Sequence, residues 1–508
     1  MTQSGPVCGL HEKSAKGSVR AYMGIPYAAS PAGENRWRAP QPVQPWSAPL
    51  QATTFGPACP QKHGKSAPYY QSEDCLHLNV WTPEKAHNLP VMVFLHGGAF
   101  VEGTASAKIY DGRNIAALGN VVVVSLNYRL GALGFLSGID GLDGNYGFLD
   151  QQQALRWVRD NIARFGGNPH NVTLFGESAG AMSIGIHLIS PESRPLFHAA
   201  ILQSNPYGVP LRSIDMSNRA ASNLRRDIGC AVEPSYQLEC MRKAPLELIL
   251  KYQLSAGSEL EGLLTGMADM LQWAPVIDRR NIPGQPVEAQ VDKPVIIGTN
   301  GMEGTAFAGL INEKLKHISE RLYRSAINAL LDDAAARAVL QNPTYAPRHG
   351  DNSLQFSELT TDFAFACAAR HVLSRAKAPA YGYAFLHNTS FDVWPGLELC
   401  SLKDGSFAPC HMAELPFVFG NPYTVSTGRR EQEQKFSPEE RALSDNIIRY
   451  WTWFAAHHRM EGISPVWPRF PAVQVFDNKV ETAPQGINSQ CSFWDQFGYV
   501  QTGIFRDF

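Results

Sequence analysis

The run Phe165-Gly166-Gly167-Asn168-Pro169-His170-Asn171-Val172-Thr173-Leu174-Phe175-Gly176-Glu177-Ser178-Ala179-Gly180 constrains this chain more than any other stretch. Val172 to Phe175 reads as a short buried strand. Gly176 to Gly180 reads as a tight turn into a helix carrying Met182, Ile184, Ile186 and Leu188. A serine with glycine two residues to either side suits a strained strand-to-helix turn, because the backbones pack there too closely for a larger side chain. The strain presents the hydroxyl at the sheet edge, and the helix N-terminus behind it favours developing negative charge. A bare G-x-S-x-G is common in unrelated chains. The strand before it and the helix after it favour a nucleophile over a structural turn.

The rest of the chain supplies a scaffold for such a turn. Val91 to His96 and Val121 to Asn127 are continuous apolar runs, as are Ala199 to Ser204, Pro294 to Thr299 and Tyr381 to His387. Runs apolar on both faces fit central strands of a sheet covered by helices. Residues 150–165 and 439–457 have helical periodicity, the first with Ala154, Leu155, Val158, Ile162 and Phe165 on one face. Glu73 to Trp81 alternates like a half-buried strand, and residues 1–60 read as short strands and turns. Residues 206–290 and 312–378 read as helical insertions, and no repeat, low-complexity segment or linker interrupts the chain. The expectation is one α/β domain over 1–508, a large mostly parallel sheet flanked by helices.

Charge and composition exclude several functions. Against 44 Lys and Arg stand 46 Asp and Glu, a net charge of −2, so there is no basic footprint for nucleic acid. No apolar run approaches the ~18 residues of a membrane span, and no transmembrane segment is expected. The cysteines form no C-x-x-C and no zinc-finger spacing with histidine, so no metal site is expected. Cys59 with Cys75, Cys230 with Cys240, and Cys400 with Cys410 bracket short loops, as disulfides do in an oxidising compartment. A secreted or periplasmic location is expected, with the cytoplasm as the alternative. The first twenty residues show no apolar signal core, which reads Met1 as the start of a processed or recloned chain.

Serine is a poor nucleophile until a base takes its proton, and the base works best when a carboxylate holds its tautomer. In a fold built on such a turn, acid and histidine follow later strands. After the strand at 294–299, Glu303 is the one carboxylate in Thr299 to Thr305; Asp278, before that strand, is its rival. Of fifteen histidines, His457 and His458 end a helix, His387 closes a strand, and His371 lies in a helical run. His411 sits in a loop-like stretch after the strand at 381–387, where a base belongs, and His96 reads as a brace for the glycines after it. Gly97-Gly98-Ala99, directly after a strand, can expose backbone N–H groups to an oxyanion, and Ala179 can add another. The same glycines could cradle phosphate, but no lysine follows them as in a Walker loop.

These segments together resemble the type-B carboxylesterases, a group that includes bacterial para-nitrobenzyl esterases and the cholinesterases. The resemblance runs from Gly24-Ile25-Pro26-Tyr27-Ala28 through Glu73-Asp74-Cys75-Leu76, His96 to Phe100, Asn145-Tyr146-Gly147, Asp150-Gln151 and the serine run to Trp467-Pro468. It implies an α/β-hydrolase fold and a serine carboxylic-ester hydrolase working through an acyl-enzyme on a small-molecule ester, without metal or organic cofactor, as a monomer or homodimer. Position by position it implies Ser178 as nucleophile, Glu303 as acid and His411 as base, with oxyanion donors at Gly98, Ala99 and Ala179. It also implies the disulfides Cys59–Cys75, Cys230–Cys240 and Cys367–Cys491; Cys400–Cys410 is added from spacing, leaving Cys8 odd. Ala99 replaces the usual third glycine, and His77 stands where Tyr or Thr is usual. The loop from Cys59 to Cys75 holds Tyr69 and Tyr70 but no tryptophan, whereas in cholinesterases a tryptophan there forms the cation–π platform for choline. Tyr69 and Tyr70 are expected beside the alcohol-leaving side, with neutral or aromatic esters preferred. Two other functions share the fold: amide or carbamate cleavage by the same machinery, and a neuroligin-like adhesion module, which lacks the serine.

Overall fold

A computed structural model describes residues 2–14, 16–61, 70–139, 141–253, 271–424, 431–484 and 490–500. Eleven strands build one large sheet. In chain order they are β1 (Leu10–Ser14), β2 (Gly17–Pro26), β3 (His77–Pro83), β4 (Leu89–Leu95), β5 (Val122–Leu126), β6 (Gly167–Glu177), β7 (Ala199–Gln203), β8 (Val295–Asn300), β9 (Ala380–Phe385), β10 (Val473–Phe476) and β11 (Val480–Ala483). Across the sheet the order is β11-β10-β9-β8-β7-β6-β4-β5-β3-β2-β1. The seven strands from β10 to β5 run parallel, and both edges are antiparallel. The sheet is therefore mixed, with a parallel centre, in the α/β class.

The apolar runs are explained by helices on both faces. Val91, Val93 and Leu95 point to one core with Val158, Ile162 and Ile184 from helices α1 (Tyr146–Asn161) and α2 (Ala179–Ile189) and the turn after α1. Met92 and Phe94, one residue out of step, point to the other with Ile447, Trp451 and Phe454 of the long helix Pro438–His457. Strand period two thus divides one run between two cores. The same logic corrects β3, expected as half-buried. It is buried from Leu78 to Thr82, because it lies inside the sheet between β2 and β5. Residues 17–26, expected as short strands and turns, form one ten-residue antiparallel strand with a bulge between Tyr22 and Ile25.

The boundary placed at 312 falls inside helix α3 (Glu303–Leu315), which starts three residues after β8. Beyond it come helices Glu320–Leu330, Asp333–Gln341, Ser353–Thr360 and Cys367–Ser374. Residues 206–290 carry helices Ile214–Asp227, Pro234–Lys243 and Leu246–Tyr252, and 254–270 lie outside the described residues. Four cysteine pairs stand at disulfide distance: Cys59–Cys75, Cys230–Cys240, Cys367–Cys491 and Cys400–Cys410; Cys8 is free and exposed. Among the described residues no helix is long and apolar enough to cross a membrane.

One buried ion pair fixes the approach of α1 to the sheet. Arg129, after β5, donates from Nε and Nη2 to the two Asp150 oxygens, 2.7 Å each, and its backbone N–H adds a third bond at 3.1 Å. Both side chains are almost fully buried, at 4 % and 0 % exposure. Removing one partner of such a pair strands the other charge in a low-dielectric interior. Asp150→Ala should lower stability by about 3–5 kcal/mol, read as a loss of urea midpoint at unchanged slope.

Candidate active site

Ser178 follows β6 with backbone angles of φ 55° and ψ −123°, the strained turn expected from the sequence. The strain is held by close packing. A Cβ on Gly180 would stand 2.0 Å from Leu95 O, and one on Gly176 2.7 Å from the same oxygen, so only glycine lets β4 and the turn meet. Met182 N–H donates to Ser178 O at 2.8 Å, starting helix α2, and Ser178 N–H donates to Gln203 O at 3.0 Å. Ser178 keeps partial solvent access although Glu177, Ala179 and Gly180 beside it are buried.

The other two residues arrive on the loops after β8 and β9, at the same C-terminal edge of the parallel strands. Asn300 N–H donates to Glu303 Oε1 at 2.6 Å, curling the chain back so that Glu303 opens α3. The histidine loop is pinned beside it. Met302 pairs with Cys410, Met302 N–H donates to Pro409 O at 3.0 Å, and Asn300 Nδ2 donates to Cys410 O at 3.0 Å. His411 Nδ1 thereby lies 2.6 Å from Glu303 Oε2, both side chains being buried. The rings of Phe307 and Phe365 flank the imidazole at 5.1 and 5.3 Å between centroids.

The opposite ring nitrogen has an unexpected neighbour. His411 Nε2 lies 3.0 Å from Glu177 Oε1, but out of line for a hydrogen bond, and both Glu177 oxygens are buried without a hydrogen-bond partner. Among the described residues no hydrogen bond joins Ser178 Oγ to His411. A third carboxylate, Glu414, lies close by. It accepts from Gln203 Nε2 at 3.0 Å and Asn300 Nδ2 at 2.6 Å, and Trp451 Nε1 in turn donates to Gln203 Oε1 at 3.1 Å. Burial pushes the Glu177 carboxyl well above the usual range. The pull of His411 opposes this, and the charges of Glu414 and Glu303 reinforce it. Burial by itself disfavours the His411 imidazolium, but Glu177 and Glu303 outweigh it and hold the ring at about 9. Glu177 and Glu414 were not singled out from the sequence, although Glu177 precedes the serine and Glu414 sits three residues after the histidine.

The amides expected to face an oxyanion are unused. No hydrogen bond among the described residues takes the N–H of Gly98 or Ala99, and Ala179 opens α2, where no intrahelical acceptor exists. A Cβ on Gly97 would meet Glu177 Oε2 at 2.7 Å and Ser178 Cβ at 3.1 Å, so this loop lies directly against the serine turn. His96 braces it. Its Nδ1 contacts Gly97 O at 2.8 Å, its ring stacks on Tyr128 at 4.4 Å, and burial lowers its pKa to about 4. Asp278, the rival acid, accepts from the amides of Arg280, Asn281 and Ile282 at 2.8–2.9 Å and from Asn145 Nδ2 at 3.1 Å, so it holds its own turn against the start of α1. His387 lies between Glu440 and Asp477, His371 in the helix Cys367–Ser374, and His457 and His458 at the end of the long helix. Tyr70 is 80 % exposed at the edge of its loop, and Tyr69 lies outside the described residues.

Comparison with known proteins agrees with this geometry. The model of the carboxylesterase family matches residues 1–494. The chain belongs to the carboxylesterase family. It is similar to an acetylcholinesterase of Bungarus fasciatus, 34% identical over 98% of this chain and 86% of the relative. It is likewise similar to pyrethroid hydrolase Ces2e of Rattus norvegicus, 34% identical over 92% and 83%. A cholinesterase of Mus musculus is 32% identical over 98% and 86%. This carboxylesterase is a serine hydrolase of carboxylic esters. As the candidate base, His411 cannot accept a proton once protonated, so kcat/KM should rise with pH through a limb above the ordinary 6.5 and no higher than about 9. Glu177→Gln removes one of the two carboxylates that raise the ring and should move that limb to lower pH; a pH–rate profile of both proteins checks it.

Proposed function

We propose that Ser178 attacks the carbonyl carbon of a small ester while His411 takes its proton and Glu303 holds the imidazole tautomer. The tetrahedral oxyanion accepts hydrogen bonds from the N–H groups of Gly98, Ala99 and Ala179. His411 then returns the proton to the departing alcohol, leaving an acyl-Ser178 ester that water, activated by the same ring, hydrolyses. The observation that supports this most is the 2.6 Å contact of His411 Nδ1 with Glu303, which aims Nε2 toward the turn carrying Ser178. The adhesion reading has no support, since serine, acid and histidine are all present.

Ser178→Ala should leave a folded protein with hydrolysis reduced by ~10⁴–10⁶. A fluorophosphonate probe should label Ser178 alone, seen by peptide mass spectrometry; labelling elsewhere overturns the assignment.

Two relatives carry cholinesterase names, yet we infer a different preference for this chain. The loop between Cys59 and Cys75 holds no tryptophan, and the exposed Tyr70 offers no enclosed aromatic face. Phe307 and Phe365 beside His411 favour apolar groups. Neutral and aromatic esters should therefore be better substrates than choline esters, with a higher kcat/KM for phenyl acetate than for acetylthiocholine. The four cysteine pairs support an exported protein in an oxidising compartment.

A further inference from the structure

The loop after β4 turns sharply at the oxyanion glycines. The amides of Val101 and Glu102 both donate to Gly98 O, each at 3.0 Å. A Cβ on Gly98 would lie 2.2 Å from Glu102 O and 3.1 Å from Glu102 Cγ, so the Glu102 side chain folds back over Gly98. Gln61 ties the far side of this loop to the Cys59–Cys75 loop. It accepts from Gly103 N–H at 2.9 Å and donates through Nε2 to Gly103 O and Cys59 O, each at 2.9 Å. Glu102 thus stands between the candidate oxyanion donors and the loop expected to wall the leaving alcohol.

Its surroundings are unlike those of the other three glutamates. Glu177, Glu303 and Glu414 are buried, whereas Glu102 is solvent-accessible. Protein nevertheless crowds it enough that desolvation raises its carboxyl above the usual range. Its side chain is thus reachable from solvent and set close against the Gly98 backbone. Among the described residues it has neither an ion-pair partner nor a hydrogen-bond donor.

A negative charge beside an oxyanion site opposes the charge that develops there, and a desolvated carboxylate without a partner is itself unfavourable. A substrate bringing a cation on its alcohol portion relieves both. Carboxylate oxygens gain most from a protonated amine, which supplies charge and an N–H donor together. A quaternary ammonium has no N–H and depends on aromatic faces, which this loop lacks in the form of tryptophan. We propose that Glu102 is a specificity residue that selects esters whose alcohol portion carries a protonated amine, ahead of quaternary-ammonium and neutral alcohols of the same shape. The proposal rests on the serine-esterase reading of Ser178.

Three acetates test it at pH 7: those of 2-dimethylaminoethanol, choline and 3,3-dimethylbutanol. The wild-type protein should show kcat/KM for the protonated-amine ester about tenfold above the neutral one, a difference of about 1.4 kcal/mol. Glu102→Gln should bring that ratio close to one, chiefly through KM. A wild-type ratio near one, or a ratio unchanged in the variant, overturns the proposal. Calorimetric binding of 2-dimethylaminoethanol against 3,3-dimethylbutanol to the wild-type protein decides the same question should the variant fail to fold. Equal binding of the two alcohols overturns it. Failure of Ser178 to take a fluorophosphonate, with none of the three esters hydrolysed, strikes the esterase reading instead, and the alcohol-binding comparison still judges Glu102.

Discussion

Leu95 O and Gly180 meet so closely that no side chain fits between them, and that single contact governs the rest of the molecule. It permits β4 and β6 to lie side by side while the chain leaves β6 through a left-handed residue and enters a helix at once. Few residues other than glycine take such angles without cost, and Ser178 does so because paired strands, the α2 hydrogen bond and the Gln203 carbonyl over-determine its place. The glycine loop after β4 packs against the same turn, so the candidate oxyanion amides and the serine are positioned by one backbone junction. Preorganisation of this kind is what a charge-developing reaction needs, since nothing has to reorient when the charge appears.

Electrostatically the site consists of one imidazole among three buried carboxylates, which cannot all be ionised without a large penalty. The hydrogen bonds separate their roles. Glu303 receives the imidazole and a backbone amide, and Glu414 receives two side-chain amides. Glu177 receives none and instead faces the imidazole directly. The network from Trp451 through Gln203 to Glu414 links the long C-terminal helix to the region beneath the imidazole. Sheet, helix and site are therefore mechanically continuous on that side.

Much of this was legible in the sequence for a physical reason. Parallel central strands must be apolar on both faces, and the turn needs glycines at fixed offsets, so Val91–His96, Val121–Asn127 and Gly176–Gly180 announce themselves. Local pattern fails where burial is decided by distant chain. Nothing within Glu73–Trp81 says that β3 has strands on both sides, and its alternation misled. The start of α3 was masked because Glu303 serves both as a helix opener and as a loop carboxylate. Glu177 and Glu414 lie far apart in the chain, and only the juxtaposition of β6 with the loop after β9 makes a cluster of them with His411. Glu102 gave no signal either, since a glutamate after glycines usually means only a solvated loop.

The pairing of Cys400 with Cys410 has an implication of a different kind. Cys410 immediately precedes His411 and is held by Met302 and Asn300 on the loop that leads into Glu303. The residues between the two cysteines form a side loop whose tip, Lys403 to Gly405, is exposed. Because its two ends are joined to each other, change within that loop is absorbed at the crosslink rather than passed to the imidazole. Altered surface chemistry at Lys403 to Gly405 should therefore leave the contact of His411 with Glu303 in register. The same chain segment thus carries the buried, closely held His411 and, a few residues away, an exposed tip outside that constraint.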